Sequence, residues 1–289
     1  THRLTPMELN AQERLEVGQV IELVIGPVAH GGHFVARHNG QVIFVRHGIT
    51  NELVKIKITA VSSKIAHADV IEVLTAAPTR VTGPCQYAGK CGGCDFQHID
   101  LLTQRKLKAE IIKEQFMRIG KIDLPALGFN LEVIEVEPSD GLHWRTRMDF
   151  AVSPNGKIGF FGARSNEVVE ISQCLIADER MNVSELAARN WKSDARVEVA
   201  VSSTSEVSVM RSGRSISGPT QIVEQVGGNS FKISPEAFWQ SHKSAPVTLV
   251  KAALAQLGVK SNDHVCDLYS GVGLFAAAIL KELGEQGFI

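Results

Sequence analysis

The chain has 289 residues, a hydrophobic fraction of 44%, and 30 basic against 31 acidic residues. This length suits about two domains. The near neutrality excludes a bulk polyanion binder, although a local basic groove would still bind phosphate. No apolar run is long enough to span a membrane, and the N-terminus lacks the apolar stretch of a signal peptide. We expect a cytoplasmic, monomeric protein of the multidomain α+β class.

The N-terminal quarter of the sequence predicts a tail and a small β-barrel. Residues 1–12 are polar, and we expect a flexible tail there. Short apolar runs recur through residues 13–76, and Asn39-Gly40 between two of them is a strong hairpin signal. Five short strands in this range predict an oligonucleotide-binding type of barrel. Its side chains could be ordinary barrel surface, or they could contact RNA through Phe34, Phe44 and Arg46.

Three cysteines fall within ten residues in the spacing Cys85-x5-Cys91-x2-Cys94, and Cys174 follows 80 positions later. Without an export signal, this pattern favours metal ligation over a disulfide framework. Four thiolates complete either an iron–sulfur cluster or a tetrahedral zinc site. Gly92-Gly93 suits the tight turn because glycine accepts positive φ and lets N–H groups approach sulfur. The spacing favours an iron–sulfur cluster, with zinc and ordinary buried thiols as the alternatives.

The cysteine loop is followed by helical and β-rich segments. Residues 100–119 predict a helix with a basic outer face and Asp100 as N-cap. Residues 77–235 as a whole predict a β-rich central domain. Its expected strands, with a helix near 178–191, are 131–137, 146–153, 157–161, 167–171, 196–201, 206–210 and 221–224. Near the second strand, Arg145 and Arg147 would share one face as phosphate ligands, or else pair with Glu170 or another carboxylate.

Residues 236–289 predict the beginning of a Rossmann-like domain. A helix is expected at 243–257, and Val265–Tyr269 is expected to be a buried strand. Cys266 would then be a buried, inert thiol. The following Gly271-Val272-Gly273 opens a helix, and glycines at such a turn let the backbone approach a ligand at the helix N-terminus. The alternative is a purely structural turn.

Together these motifs resemble the bacterial RNA 5-methyluridine methyltransferase family, in its 23S ribosomal RNA branch. The resemblance rests on the cysteine pattern and on three further segments, His143–Arg147, Gly159–Phe161 and Asp267–Gly273. It implies an N-terminal TRAM barrel and a [4Fe–4S] cluster. The four ligands would be Cys85, Cys91, Cys94 and Cys174.

The same resemblance implies a binding site for S-adenosylmethionine. Its residues in the glycine-rich segment would be Asp267, Tyr269, Gly271 and Gly273. Phe238 and Gln240 match the family's F-x-Q segment, so Phe238 would pack near the target base and Gln240 would lie at the cofactor and base pocket. Three positions depart from the family's usual cysteine, polar residue and asparagine, namely Ser270, Leu274 and His242.

The implied activity is methylation of uridine C5 in RNA, with ribosomal RNA as the expected partner. In the family a cysteine adds to uracil C6, C5 takes the methyl group, and a base removes the C5 proton. Four cysteines are assigned to the cluster and Cys266 to a strand, so we expect this chain to lack the nucleophile, the base and most of the catalytic domain. A non-catalytic iron–sulfur RNA-binding module is the alternative. A TRAM-containing radical enzyme that transfers methylthio groups fits the x5 spacing and the N-terminal barrel less well.

Overall fold

The structure is a computed structural model that describes residues 14–193 and 195–289. The tail expected at residues 1–12 lies outside the described residues. Two compact units are present: one holds the described residues up to Gly89 with Cys94–Ile134, and the other holds Lys90–Gly93 with Glu135–Ile289. None of the helices in the described ranges is long and apolar enough to cross a membrane.

The first unit is built on a five-stranded sheet. Its strands are β1 Val20–Val24, β2 Phe34–His38, β3 Gln41–Arg46, β4 Leu53–Val61 and β5 Ile65–Thr75. They follow the order β1-β4-β5-β3-β2, and only β3 and β5 run parallel. Just after β1, Gly26 N donates to Val35 O at 2.9 Å, which joins the two edges into a barrel. This strand order is that of the oligonucleotide-binding type.

Alternation of side chains builds the core of the barrel. In β4, Val54 and Ile56 are buried, whereas Lys57 is exposed. Each buried aliphatic side chain contributes about 1.5–3 kcal/mol to folding. At the closure point, a Cβ on Gly26 would lie 2.6 Å from Val35 O, so only glycine lets the two edges approach this closely.

Helix α1, Leu101–Arg118, confirms the predicted helix. Asp100 is its N-cap and accepts a hydrogen bond from Thr103 N at 2.8 Å. The strand predicted at 131–137 is wrong, because the backbone there is irregular and Ile134 is 66% exposed. An alternating sequence becomes a strand only where a neighbour takes up its hydrogen bonds. No strand in the described ranges pairs with this segment.

The second unit contains an antiparallel six-stranded sheet of order β11-β10-β9-β6-β7-β8 and a separate hairpin, β12-β13. The strands of the sheet are β6 Arg147–Val152, β7 Ile158–Phe161, β8 Val168–Glu170, β9 Arg196–Val201, β10 Val207–Arg211 and β11 Arg214–Ser217. The hairpin comprises β12 Ile222–Val226 and β13 Asn229–Ile233. Strands β11 and β13 were not predicted. The turn Gly227-Gly228, with both φ values positive, is a signal that could have revealed β13.

The helices of the second unit differ in part from the prediction. Instead of one helix near 178–191, a 3-10 turn, Glu179–Met181, is followed by α2, Val183–Ala188. Asn182 separates them because its backbone is left-handed, with φ 45°. The other helices are α3 Ala245–Leu257 and α4 Leu274–Leu283.

The buried strand expected at Val265–Tyr269 is absent. Leu268 is 73% exposed and Tyr269 is fully exposed. The physical reason is that a buried strand needs a neighbouring strand to take up its backbone hydrogen bonds. No strand among the described residues pairs with this segment, and His264 forms only an isolated bridge with Phe288.

Candidate functional site

Phe44 lies at the surface of the barrel in a small aromatic cluster with His33 and His67. Its ring stacks on His67, with the centroids 5.6 Å apart and the planes at 23°. His33 meets both rings edge-on at 6.2–6.3 Å. The parallel register of β3 and β5 places Phe44 opposite His67. All three side chains are half-buried, so this aromatic cluster keeps surface on which a base could stack.

The other two predicted RNA contacts on the barrel are buried, which corrects the prediction. Phe34 has 0% exposure and lies in the hydrophobic core. Arg46 is 9% exposed, and its Nη2 lies 3.2 Å from Asp95 Oδ1 while its Nη1 lies 3.9 Å from Asp69 Oδ1. A base cannot reach Phe34, and the Arg46 guanidinium is already engaged by two carboxylates.

The cysteine loop turns without left-handed backbone at Gly92 and Gly93, contrary to the expectation from sequence. Gly92 is required for a different reason. Its N donates to Phe161 O at 3.0 Å, and an added Cβ would lie 2.6 Å from that oxygen. Gly93 N donates to Cys91 Sγ at 3.4 Å, as expected of an amide that approaches a sulfur. Such hydrogen bonds tune thiolates that hold a metal.

None of the five cysteines, all of which lie in the described ranges, forms a disulfide. Cys266 is exposed, which corrects the prediction of a buried thiol, because the strand that would bury it is absent. The other four cysteines are partly buried. Within residues 14–193 and 195–289, no three His, Cys, Asp or Glu side chains are grouped closely enough to hold a metal ion. The cluster stays a prediction from the spacing and the donor chemistry.

Arg147, at the start of β6, is buried rather than exposed to a ligand. Its Nη1 donates to Pro235 O at 3.0 Å and to Ala237 O at 3.3 Å. Its Nη2 lies 3.6 Å from Glu224 Oε1, and the two side chains are 10% and 5% exposed. Burial lowers the pKa of Arg147, although Glu224 opposes this shift. In this conformation the guanidinium cannot reach an RNA phosphate, which corrects that expectation.

Arg145 is half-buried and precedes β6. Its Nε donates to Arg147 O at 3.0 Å. Glu170, considered from sequence as a partner for these arginines, accepts hydrogen bonds from Ser153 Oγ at 2.7 Å and Asn155 Nδ2 at 2.9 Å instead. Of the two arginines, Arg145 is the one that stays a candidate for binding phosphate.

The residues beside Arg145 pair with the segment that follows Gln240. Thr146 N donates to Ser241 O at 2.7 Å, and the hydroxyl of Thr146 donates to the same oxygen at 3.0 Å. The Trp144 ring stacks on His242 at 5.3 Å, with the planes at 14°. Burial lowers the pKa of His242, with a smaller contribution from a neighbouring lysine. The segment 235–243 is thus fixed against the start of β6.

Within this segment Phe238 and Trp239 have opposite environments. Trp239 is 4% exposed and packs on Phe231, with ring centroids 5.5 Å apart, in a core that includes Val250 of α3. Phe238 is 81% exposed. Gln240 is half-buried. The buried indole anchors the backbone, and the adjacent phenyl ring remains open to a ligand.

The glycine-rich segment forms a turn at the N-terminus of α4. Gly271 has φ 57° and Gly273 has φ 82°, a backbone region that favours glycine. Asp267 Oδ2 accepts a hydrogen bond from Ala276 N at 3.2 Å, so this carboxylate caps the first turn of α4. Tyr269 also has positive φ, 60°. The first amides of a helix are a general binding site for a carboxylate or phosphate.

Comparison with known proteins places these features in context. The sequence family described as the TRAM domain matches residues 14–71. An uncharacterized RNA methyltransferase of Streptomyces coelicolor is 34% identical over 311 residues, covering 94% of this chain and 68% of that protein. The 23S rRNA (uracil(1939)-C(5))-methyltransferase RlmD of Chromohalobacter salexigens is 26% identical, and the match covers 98% of this chain and 70% of that protein.

A solved structure has a similar fold. The Pyrococcus abyssi tRNA (uracil-54, C5)-methyltransferase, in complex with S-adenosyl-L-homocysteine, superposes with a TM-score of 0.62 and 21% identity. The match covers 92% of this chain and 72% of that one. At this identity the likeness concerns the fold alone.

Proposed function

Since this chain belongs to the RNA methyltransferase family, we propose that it serves the S-adenosylmethionine-dependent methylation of uridine C5, with 23S ribosomal RNA as substrate. The choice of uracil is supported by the names of the Chromohalobacter relative and the Pyrococcus neighbour. The structural observation that carries the proposal is the exposed ring of Phe238 beside the buried indole of Trp239.

A uridine must leave its stack before its C5 carbon can be reached, and the enzyme must then hold the extruded base. Phe238 offers an open aromatic face, and stacking of one base is worth about 1–3 kcal/mol. Gln240, two residues on, carries an amide that can both donate to and accept from the edge of uracil. Arg145 would neutralise a flanking phosphate. The aromatic cluster around Phe44 would stack an unpaired base of an RNA.

S-adenosylmethionine, when bound, supplies the methyl group. The turn 267–273 fits its amino acid end, because the first amides of α4 can donate to the carboxylate of the ligand. The Asp267 carboxylate suits the ammonium group as well as the helix cap that it forms. The fully exposed Tyr269 provides a ring for the adenosine end, while the backbone at Gly271 and Gly273 allows close approach.

We assign a [4Fe–4S] cluster to Cys85, Cys91, Cys94 and Cys174. The assignment is supported by the x5–x2 spacing and by the Gly93 amide that donates to Cys91 Sγ. The cluster would join the cysteine loop to a position 80 residues later and stabilise both. Metal analysis of anaerobically purified protein tests this. About four irons and four sulfides per chain support a cluster. Zinc without a visible absorption band would instead assign a zinc site to these cysteines.

The proposed function is tested by the affinity of the chain for a short single-stranded oligouridine and for S-adenosyl-L-homocysteine. We expect Phe238→Ala to weaken oligouridine binding about tenfold and to leave the binding of S-adenosyl-L-homocysteine unchanged. Phe129→Ala is the matched control, because Phe129 is a similarly exposed phenylalanine in the other unit. Equal RNA affinities for Phe238→Ala and the unmodified chain would show that Phe238 does not stack on the base. RNA binding without any binding of S-adenosyl-L-homocysteine would favour the non-catalytic module.

A further inference from the structure

A buried ion pair lies directly behind the exposed Phe238. The Arg147 guanidinium donates through Nη1 to the carbonyl oxygens of Pro235 and Ala237, which lie three residues and one residue before Phe238. Its Nη2 lies 3.6 Å from the Glu224 carboxylate. One planar, charged group thus contacts two carbonyl groups of the backbone segment that leads to the proposed base-stacking ring.

The position of Glu224 is itself fixed. This residue lies on β12, and its Oε2 accepts a hydrogen bond from Ser203 N at 2.9 Å. Ser203 lies in the turn between β9 and β10, and its hydroxyl accepts a hydrogen bond from Gln225 N at 2.7 Å. The carboxylate that holds Arg147 is therefore attached both to the hairpin and to the main sheet.

Such a pair is poorly explained by stability alone. A buried ion pair contributes about as much as a well-packed apolar pair of the same volume, because both charges lose their water. What Arg147 provides instead is direction, since its guanidinium donates to two carbonyl oxygens in fixed directions within one plane, while the Glu224 charge at 3.6 Å attracts it from the other side. The exposed ring of Phe238 needs such a restraint, because burial of a phenyl group is favourable and would otherwise draw the ring inward.

We propose that Arg147, held by Glu224, is a positioning residue that fixes the backbone at 235–237 so that Phe238 projects outward to meet the target base. Trp239 anchors the other side of Phe238, and the pairing of Thr146 with Ser241 fixes the backbone beyond it. The inference rests on the proposed stacking role of Phe238 and adds the residues that prepare it for binding.

A double-mutant cycle tests this inference. Arg147→Met together with Glu224→Leu replaces the ion pair by apolar groups, so that no charge is left buried without a partner. We expect this paired variant to bind the oligouridine about tenfold more weakly, as Phe238→Ala does. Because the paired variant and Phe238→Ala act through the same ring, combining them should weaken oligouridine binding by less than about a further twofold. Full additivity, or unchanged affinity of the paired variant, would overturn the inference while the role of Phe238 stands.

Hydrogen exchange provides a measurement that does not depend on RNA. In the paired variant, amides within 234–241 and the Ser203 amide, which donates to Glu224, should exchange faster, while exchange elsewhere and the urea midpoint stay close to those of the unmodified chain. The control is Arg196→Met with Asp149→Leu, an exposed pair on the same sheet with an Nη2–Oδ2 distance of 3.2 Å. Unchanged exchange at 234–241 would overturn the inference. If Phe238→Ala leaves RNA binding intact, but the paired variant shows faster amide exchange at 234–241, the proposed function fails and the restraint by Arg147 remains.

Discussion

The buried carboxylate of Glu52 accepts two hydrogen bonds from the guanidinium of Arg80, from Nε at 2.6 Å and from Nη2 at 2.7 Å. Glu52 also accepts from Ile49 N at 2.9 Å and Ala77 N at 3.1 Å. Its side chain has 0% exposure. Burial alone would raise the pKa of Glu52, but the hydrogen bonds from Arg80 and the backbone lower it below its ordinary value. The pair joins the barrel to the segment that leads into the cysteine loop.

We expect Arg80→Met to destabilise the first unit by about 3–5 kcal/mol, because it leaves a buried carboxylate without its charged partner. The measurement is urea unfolding followed by circular dichroism. Lys55→Met is the matched control, since Lys55 pairs with the exposed Glu72 at 2.9 Å on the same barrel and should contribute little. If both variants unfold at the same urea concentration, Glu52 and Arg80 do not act as a buried pair.

The first unit should become less stable as the pH is lowered, because of His98. Burial lowers the pKa of His98 from 6.5 to about 4, although its contact with Gly48 O at 3.2 Å opposes the shift. The unfolded chain therefore takes up a proton at higher pH than the folded chain. Stability from this group is complete above about pH 6.5 and is lost as the pH falls towards about 4. His47, whose pKa burial also lowers, acts in the same direction.

The urea midpoint measured at about pH 7.5 and about pH 5 tests the role of His98. His98→Gln cannot take up this proton, so its midpoint should fall less between the two values than that of the unmodified chain. An identical decrease in both proteins would show that His98 is not the responsible group.

Features set by neighbouring residues could be predicted from the sequence. Asp100 caps α1 through an amide only three residues away, and Asn39-Gly40 joins β2 to β3 directly. Contacts between distant residues could not be predicted in this way. Arg46 pairs with Asp95, which lies 49 residues further along the chain. Arg147 pairs with Glu224, which lies on another sheet. Nothing near Arg46 in the sequence indicates a carboxylate partner. For Arg147 a pairing with Glu170 or another carboxylate could be considered from the sequence, but the sequence does not indicate that the partner is Glu224.

Phe44→Ala should weaken the binding of oligouridine about fivefold or more, because it removes the stacked ring from the aromatic cluster with His33 and His67. Fluorescence anisotropy at a fixed salt concentration measures the effect. Phe116→Ala is the control: Phe116 is 41% exposed on α1 and takes part in none of the ring contacts found in the described ranges. Equal affinities of the two variants would remove the cluster from the RNA surface.

The two glycines of the cysteine loop should respond differently to the same substitution. A Cβ on Gly92 would lie 2.6 Å from Phe161 O, which is backbone and cannot move aside, whereas a Cβ on Gly93 would meet Cys91 Sγ at 3.4 Å, an ordinary contact. Gly92→Ala should therefore displace the loop from its hydrogen bond with Phe161 and lower the iron content, while Gly93→Ala should retain most of it. Iron and sulfide analysis after anaerobic purification compares the two variants. Equal iron content would show that the loop does not need the close approach at Gly92 to form the cluster.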